Sequence, residues 1–361
     1  ADFADLFEVK AGRGHRSGER TARAQEKWLA LDHRSGESHR GVIVESPGSV
    51  VTAAGHTATI RYDVVVPARE RWSASLIVRP VVEGVEVEPS FTLDRPVTES
   101  LPAVRLRGWQ ESAPLACTAH AGLQGVLRRS QEDLGALRIF DDQDPTLAAV
   151  AAGAPWYMAL FGRDSLLSAY MALPLDPSLA LGTLKTLARH QGHRSDPVTE
   201  EEPGRIVHEV RHGLEAGLSL GGGGSYYGTA DATPLFVVLL GELARWGGDP
   251  EQIRQLLPHA DLALEWVERY GDRDGDGFVE YQRSSDHGLR NQGWKDSWDG
   301  VNFADGRPAD PPIALCEVQG YVYDAFRARA ELTQHFGDED TARHWTGRAA
   351  ELKARFNERF W

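Results

Sequence analysis

Two cysteines, Cys117 and Cys316, are all that the 361 residues contain, and they form no CxxC pair. A disulfide framework and a cysteine metal site are therefore excluded as design principles, and a reducing compartment is expected. Lysine is nearly as scarce, occurring only at positions 10, 27, 185, 295 and 353; arginine supplies the rest of the positive charge, an imbalance that carries no functional content. No run approaches the roughly 18 consecutive apolar residues of a membrane span. The start, Ala1-Asp-Phe-Ala-Asp-Leu-Phe7, lacks the basic flank of a signal peptide. The sequence thus predicts a cytoplasmic protein with no membrane partner. Net positive charge is absent too: at −14, a nucleic-acid backbone is a poor partner and a neutral, hydroxyl-rich substrate fits better. Nothing in the sequence signals an oligomeric state.

What is present divides into two periods. With 41% apolar residues the chain can build large cores, and two domains are expected, residues 1–106 and 107–361. In the first, Ala58, Ile60, Tyr62 and Val64 alternate with polar residues, as do Trp72, Ala74, Leu76 and Val78. Pro47-Gly48, Pro67 and Pro80 punctuate the runs, which predicts an antiparallel β-sandwich. The basic, glycine-rich stretch from Lys10 to Arg23 reads as a solvated loop.

From Arg107 the period is helical. Pro114 opens a run through Leu115, Leu123, Val126, Leu127, Leu134 and Leu137. Asp176-Pro177, Thr233-Pro234 and Asp249-Pro250 are helix starts. The last leads through Ile253, Leu256, Leu257, Leu264 and Val267 to a stop at Gly271, with a kink or break expected at Pro258. A final run carries Ala342, Trp345, Ala349, Leu352 and Phe356. About seven helices joined by long loops, such as the glycines from 221 to 224, are expected, and loops of that length in compact domains usually carry function. The uncapped apolar end at Phe360-Trp361 leads us to expect a fragment, with a continuation to pack against.

Five loop clusters carry the chemistry. Asn291-Gln-Gly-Trp-Lys-Asp-Ser-Trp-Asp299 sets Asp296 and Asp299 between two indoles. Pyranose faces stack on tryptophan, hydroxyls need fixed carboxylates, and glycosidic cleavage needs a carboxyl that gives a proton to the bridging oxygen, for which Asp296 is the candidate. The alternative is a buried helical stripe of Trp294 and Trp298 with solvated aspartates. Phe161-Gly-Arg-Asp-Ser165 pairs a guanidinium with a carboxylate, suited to adjacent sugar hydroxyls, or else it caps a helix. Tyr226-Tyr-Gly-Thr-Ala-Asp-Ala-Thr-Pro234 adds two tyrosines and Asp231. In Gly204-Arg-Ile-Val-His-Glu-Val-Arg211, Glu209 is either a sugar ligand or the partner of Arg211; the HExxH pattern of a zinc site is absent. Asp272-Arg-Asp-Gly-Asp-Gly277 opens like a calcium loop, but its twelfth position is Arg283 rather than glutamate. A turn built on Asp272, Asp274 and Asp276 is favoured over a structural calcium, and no other cofactor is expected. Glu280 follows that turn and is placed at the pocket.

Together these motifs, with Ala4-Asp-Leu-Phe-Glu-Val9 and Pro155-Trp-Tyr-Met-Ala-Leu-Phe161, resemble the bacterial amylo-α-1,6-glucosidases, the glycogen-debranching-enzyme-like glycoside hydrolases. The resemblance spans nearly the whole chain. It implies an N-terminal β-domain and an (α/α)6 barrel, of which about half the twelve helices would be present. It implies inverting hydrolysis of α-glucosidic bonds in glycogen or limit-dextrin-type saccharides, with Arg163 and Asp164 on the terminal sugar and Asp296 as general acid. Asp299, Trp156, Glu209, Tyr227, Asp231, Glu280, Trp294 and Lys295 complete the implied substrate site. Inversion also needs a second carboxylate about 6.5–9.5 Å away, expected late in the barrel beyond Trp361. The same fold acting on another glycoside, such as a mannoside or trehalose-like disaccharide, and an inactive carbohydrate-binding fragment are the alternatives. Calcium sensing is the weakest.

Overall fold

A computed structural model describes residues 3–4, 9, 18–36, 38–114, 117–141, 143–211, 224–286, 288–336 and 338–360. Outside them lie most of the basic run after Lys10, residues 5–8 of the first quoted motif, Leu115, glycines 221–223 and Trp361. The chain forms two compact units, Ala1–Ser112 and Ala113–Trp361.

The first unit is built on a five-stranded antiparallel sheet in the order β1-β2-β3-β6-β7: β1 Glu19–Gln25, β2 Trp28–Ser35, β3 Ser38–Glu45, β6 Ile77–Val82 and β7 Val85–Glu86. A hairpin of β4, Val50–Ala54, and β5, Thr57–Arg61, lies beside β1, where Ala22 N–H donates to the Gly55 carbonyl at 3.1 Å. Leu29, Ala30 and Val81 are its buried apolar residues within strands. The predicted strand through Trp72, Ala74 and Leu76 does not form; pairing resumes only at Ile77. Pro67 cannot donate to a ladder, Glu70 N–H closes a turn on its carbonyl, and Trp72 and Leu76 stay exposed. Tyr62 and Val64 likewise fall beyond β5. Helix formation starts earlier than Arg107: a 3-10 turn, Val97–Glu99, leads into α1, Leu101–Ser112.

Seven further helices are present among the described residues of the second unit. The first, α2, spans Ala121–Ala136 and begins seven residues after Pro114. The reason is its cap: His120 Nδ1 accepts from Leu123 N–H at 3.1 Å, and Gln124 reaches back to Thr118 N–H. Then follow β8, Arg138–Phe140; β9, Ala148–Val150; β10, Leu160–Phe161; α3, Gly162–Ala172; and α4, Pro177–Arg189. Asp176 caps α4 by accepting from Ser178 N–H at 2.9 Å, as its sequence predicts. Strands β11, Glu209–Val210, and β12, Ser225–Tyr226, precede α5, Ala232–Arg245. Helix α5 starts at Ala232 behind Asp231 rather than at a Thr233 cap, because the Thr233 hydroxyl is taken by Ile206 N–H at 3.0 Å.

Helix α5 is the centre of the core, with Leu235, Phe236, Val237, Leu239, Leu240 and Leu243 buried, and it packs against α3, α4, α6 and α7. Helix α6, Pro250–Trp266, is capped by Asp249 and runs on through Pro258 without breaking, to end in a π-helical turn, Val267–Gly271. Helices α7, Cys316–Phe336, and α8, Glu339–Arg359, pack against each other. At the end of α8, Phe360 stacks on Phe356 with centroids 4.8 Å apart and meets Phe278 edge-on at 5.1 Å.

Candidate active site

A three-stranded sheet, β10-β11-β12, sets the floor. Glu209 pairs with Phe161 on one side and Tyr226 on the other, and Gly162 N–H donates to the His208 carbonyl at 2.8 Å. Helix α3 thereby starts against β11. A Cβ at Gly162 would sit 2.2 Å from the Val207 carbonyl oxygen, so this approach requires glycine. The first turn of α3 presents Arg163 and Asp164, while the Ser165 hydroxyl ties the helix to Val150 at 2.6 Å. Neither residue acts as the cap, which is Phe161 with no side-chain bond.

Arg163 is the node. Its Nη1 donates to Asp231 Oδ2 at 3.1 Å and its Nη2 to Asp296 Oδ2 at 3.0 Å, and its Nε lies 4.0 Å from Asp164 Oδ2. The guanidinium is 9% exposed and the Asp231 carboxylate 2%, whereas Asp296 is 41% exposed. One arginine thus links residues 68 and 133 positions downstream. Asp231 is further fixed by the Thr229 hydroxyl at 2.6 Å. Burial pushes the Asp164 carboxyl up from its ordinary value; the Arg163 charge pulls the other way, and the charges of Asp231 and Asp296 add to the rise. Burial also raises Glu209, against the pull of Arg211, whose Nε donates to Glu209 Oε2 at 2.6 Å. The charges of Asp296 and Asp164 raise Glu209 further, so all three carboxylates share one electrostatic neighbourhood.

The loop from Asn291 is held from below. Buried Arg205 donates to the carbonyls of Thr229 and Glu200, to Glu202 Oε2 and to Gln292 Oε1, between 2.9 and 3.2 Å. Gln292 returns a bond to Glu200 at 2.5 Å, its carbonyl accepts from Ala230 N–H at 2.8 Å, and Asn291 joins the Tyr281 hydroxyl to the Ser297 carbonyl. The segment that follows is irregular, and Trp294 and Trp298 are 58% and 70% exposed. No buried helical stripe exists there.

The other expected site residues are placed as follows. Trp156 is partly exposed, and its carbonyl accepts from Arg211 at 3.0 Å. Lys295 lies over the Trp294 ring, 5.2 Å from its centroid. Asp299 is exposed, its carbonyl accepting from Asn302. The Tyr227 hydroxyl is committed to the His190 carbonyl at 2.9 Å, and burial pushes it up to about 12. Glu280 turns back to accept from Arg273 N–H at 3.0 Å, and its charged neighbours are Asp272, Asp274 and Asp276 rather than Arg163. Those three aspartates bring one oxygen each within 4.8 Å of one another. Their carboxylates accept from the N–H groups of Gly275, Gly277, Asp276 and Phe278, the bonding of an Asp-Gly turn. Arg283, where a calcium loop needs glutamate, pairs with Asp286 at 3.2 Å.

Tyr321 escapes sequence reasoning, and His208, which the sequence offers only within a cluster lacking a zinc pattern, has a part of its own. Tyr321, half-buried on α7, has its hydroxyl raised by burial and by the charges of Asp231 and Glu317, against the pull of Arg163; it belongs to no polar-aromatic loop. His208 is buried edge-on between the Phe161 and Tyr226 rings, with Nδ1 unpartnered. Burial, reinforced by Arg163, Arg205 and Arg211, lowers it to about 3. An unfolded histidine takes up its proton near pH 6.5. Between pH 6.5 and about 3 the unfolded chain therefore holds the extra proton. The stability owed to neutral His208 is complete above pH 6.5 and drains as pH falls, by at most about 1.4 kcal/mol per pH unit. Half-buried Asp164 and buried Glu200 and Glu209 act with opposite sign, since their raised values let the folded state bind protons first. Urea unfolding of wild type and His208→Phe between pH 3 and 7 isolates the histidine: the variant should lose this acid sensitivity, and identical slopes would refute the assignment.

Among the described residues no helix is long and apolar enough to cross a membrane. No curated protein matches the chain. Residues 1–77 match the family model described as the N-terminal domain of (some) glycogen debranching enzymes, a similarity that does not reach the residues around Arg163.

Proposed function

We propose that the protein is an inverting glycoside hydrolase of the glycogen-debranching type, acting on α-glucosidic bonds of glycogen or limit-dextrin-type saccharides, with its helical unit forming part of an (α/α)6 barrel. The observation that carries this reading is Arg163 bridging buried Asp231 and half-exposed Asp296 with Asp164 alongside. Such a cluster offers donors and acceptors in fixed directions, which suits adjacent sugar hydroxyls, and the loop that carries Asp296 also carries exposed indoles suited to pyranose faces. In this reading Arg163, Asp164 and Asp231 hold the terminal glucose, and Glu209 is shaped by Arg211 into the adjoining wall. Asp296 keeps one oxygen on Arg163 and gives a proton from the other to the glycosidic oxygen, while water attacks the anomeric carbon from the opposite face and loses its proton to a second carboxylate that this reading assigns to none of the described residues. Trp156, Trp294, Lys295 and Asp299 line the open side, and the reaction requires no cofactor. The N-terminal family match favours an α-glucan over other glycosides.

Calorimetric titration with maltooligosaccharides, paired with glucose release from limit dextrin and a panel of aryl glycosides, tests the reading. Binding and release confined to α-glucosides is the expected result. Preference for a mannoside or trehalose-like substrate would move the protein to another member of the same reaction class, and binding without turnover would make it a carbohydrate-binding protein.

A further inference from the structure

Three large aromatic rings within ten residues, Trp294, Trp298 and Phe303, are left 58%, 70% and 45% exposed. They are held out rather than loosely splayed. The Ser297 carbonyl accepts from Asn291 Nδ2 at 2.6 Å and from Gly300 N–H at 2.9 Å. Beyond it the chain folds back on itself: Asn302 bridges Pro308, Phe303 N–H donates to the Arg307 carbonyl at 2.8 Å, and Ala309 N–H donates to the Val301 carbonyl at 2.9 Å. Arg307 lies over one face of Phe303, 4.2 Å from the centroid, and is anchored to Asp310 at 2.7 Å. Lys295 similarly covers Trp294. Trp298 has no ring or cation partner among the described residues.

Exposed indole costs free energy in water unless something covers it. Two residues of extended chain span at most about 7 Å, so Trp298 stays within reach of whatever is bonded to a sugar at Asp296. Phe303 lies further along the same fold-back.

We infer that residues 297–309 form an aromatic arm on which the leaving-group side of an extended α-glucan chain rests, with Trp298 as its main platform and Phe303 as the next. This rests on the glycosidase reading of the Arg163 cluster. It makes the protein selective for chain length, through contacts on the leaving-group side of the scissile bond.

The test compares methyl α-glucoside, which has no leaving-group sugar, and maltoheptaose by calorimetric titration of the wild type, Trp298→Ala and Phe303→Ala. The wild type should bind maltoheptaose more tightly than methyl α-glucoside. Trp298→Ala should weaken maltoheptaose between about two- and ten-fold, the range of one aromatic contact, while leaving methyl α-glucoside within two-fold; Phe303→Ala should show a smaller loss of the same kind. Unchanged melting temperatures are expected, since both side chains are exposed. Wild-type binding with equal losses for the two sugars, or with no loss, overturns the arm. Failure of the wild type to bind either sugar overturns the underlying glycosidase reading instead.

Discussion

Replacing Arg163 with methionine is expected to destabilise the second unit by about 3–5 kcal/mol and to abolish saccharide binding. Methionine preserves much of the buried volume but leaves the Asp231 carboxylate, 2% exposed, without its guanidinium. Removing one partner of a buried ion pair carries that cost because the survivor stays charged in a poorly solvated site. The charges of Asp231, Asp164 and Asp296 hold the Arg163 proton more tightly than usual even though burial opposes it, which is the same coupling seen from the other side. Urea unfolding gives the stability and titration with maltoheptaose the binding. Asp231→Asn in the Arg163→Met background should recover part of the stability without recovering the sugar. A single variant as stable as the wild type would mean that Asp231 is satisfied elsewhere.

Asp296→Asn should lower glucose release from limit dextrin by about 10²- to 10⁴-fold, the usual contribution of a general acid, with affinity for maltooligosaccharides changed no more than a few-fold. The separation follows from the geometry. An asparagine oxygen can still accept from Arg163 Nη2, which lies 3.0 Å from Asp296 Oδ2, so the loop stays docked while the transferable carboxyl proton is lost. At 41% exposure the residue is not structural ballast, and the melting temperature should hold. Equal turnover in the variant would remove Asp296 from the acid role and turn attention to Asp164, the other carboxylate beside the guanidinium.

The sequence was most legible where a local rule decides the structure. Asp176-Pro177 and Asp249-Pro250 are helix starts because a short side chain can reach the first free N–H groups and proline costs nothing there. Pro114 failed as a start and Thr233 as a cap, although a helix does begin at Ala232, because a nearby polar group offered the backbone something else: His120 as a cap in one case, Ile206 N–H competing for the hydroxyl in the other. The run through Trp72 alternates correctly yet stays unpaired, since alternation specifies a face but not a partner strand. At the site, the loops were visible as polar-aromatic clusters, and Arg163 does bring Asp164, Asp231 and Asp296 together. Glu280 and Tyr227 looked equivalent in sequence and are bound elsewhere, to Arg273 and His190. Tyr321 was invisible because a helical tyrosine carries no mark of which helix end it will face.

Arg205 has a consequence for how this protein can be altered. It gathers the segments at 200–202, 229 and 292 on one buried side chain, so the loops around the carboxylates form a single mechanical part with several strands of sequence running through it. They cannot be exchanged one at a time. A graft that imports the 291–299 loop from another protein inherits a keystone cut for a different arch, and only a transplant carrying its own 200–205 and 229–231 segments should seat correctly.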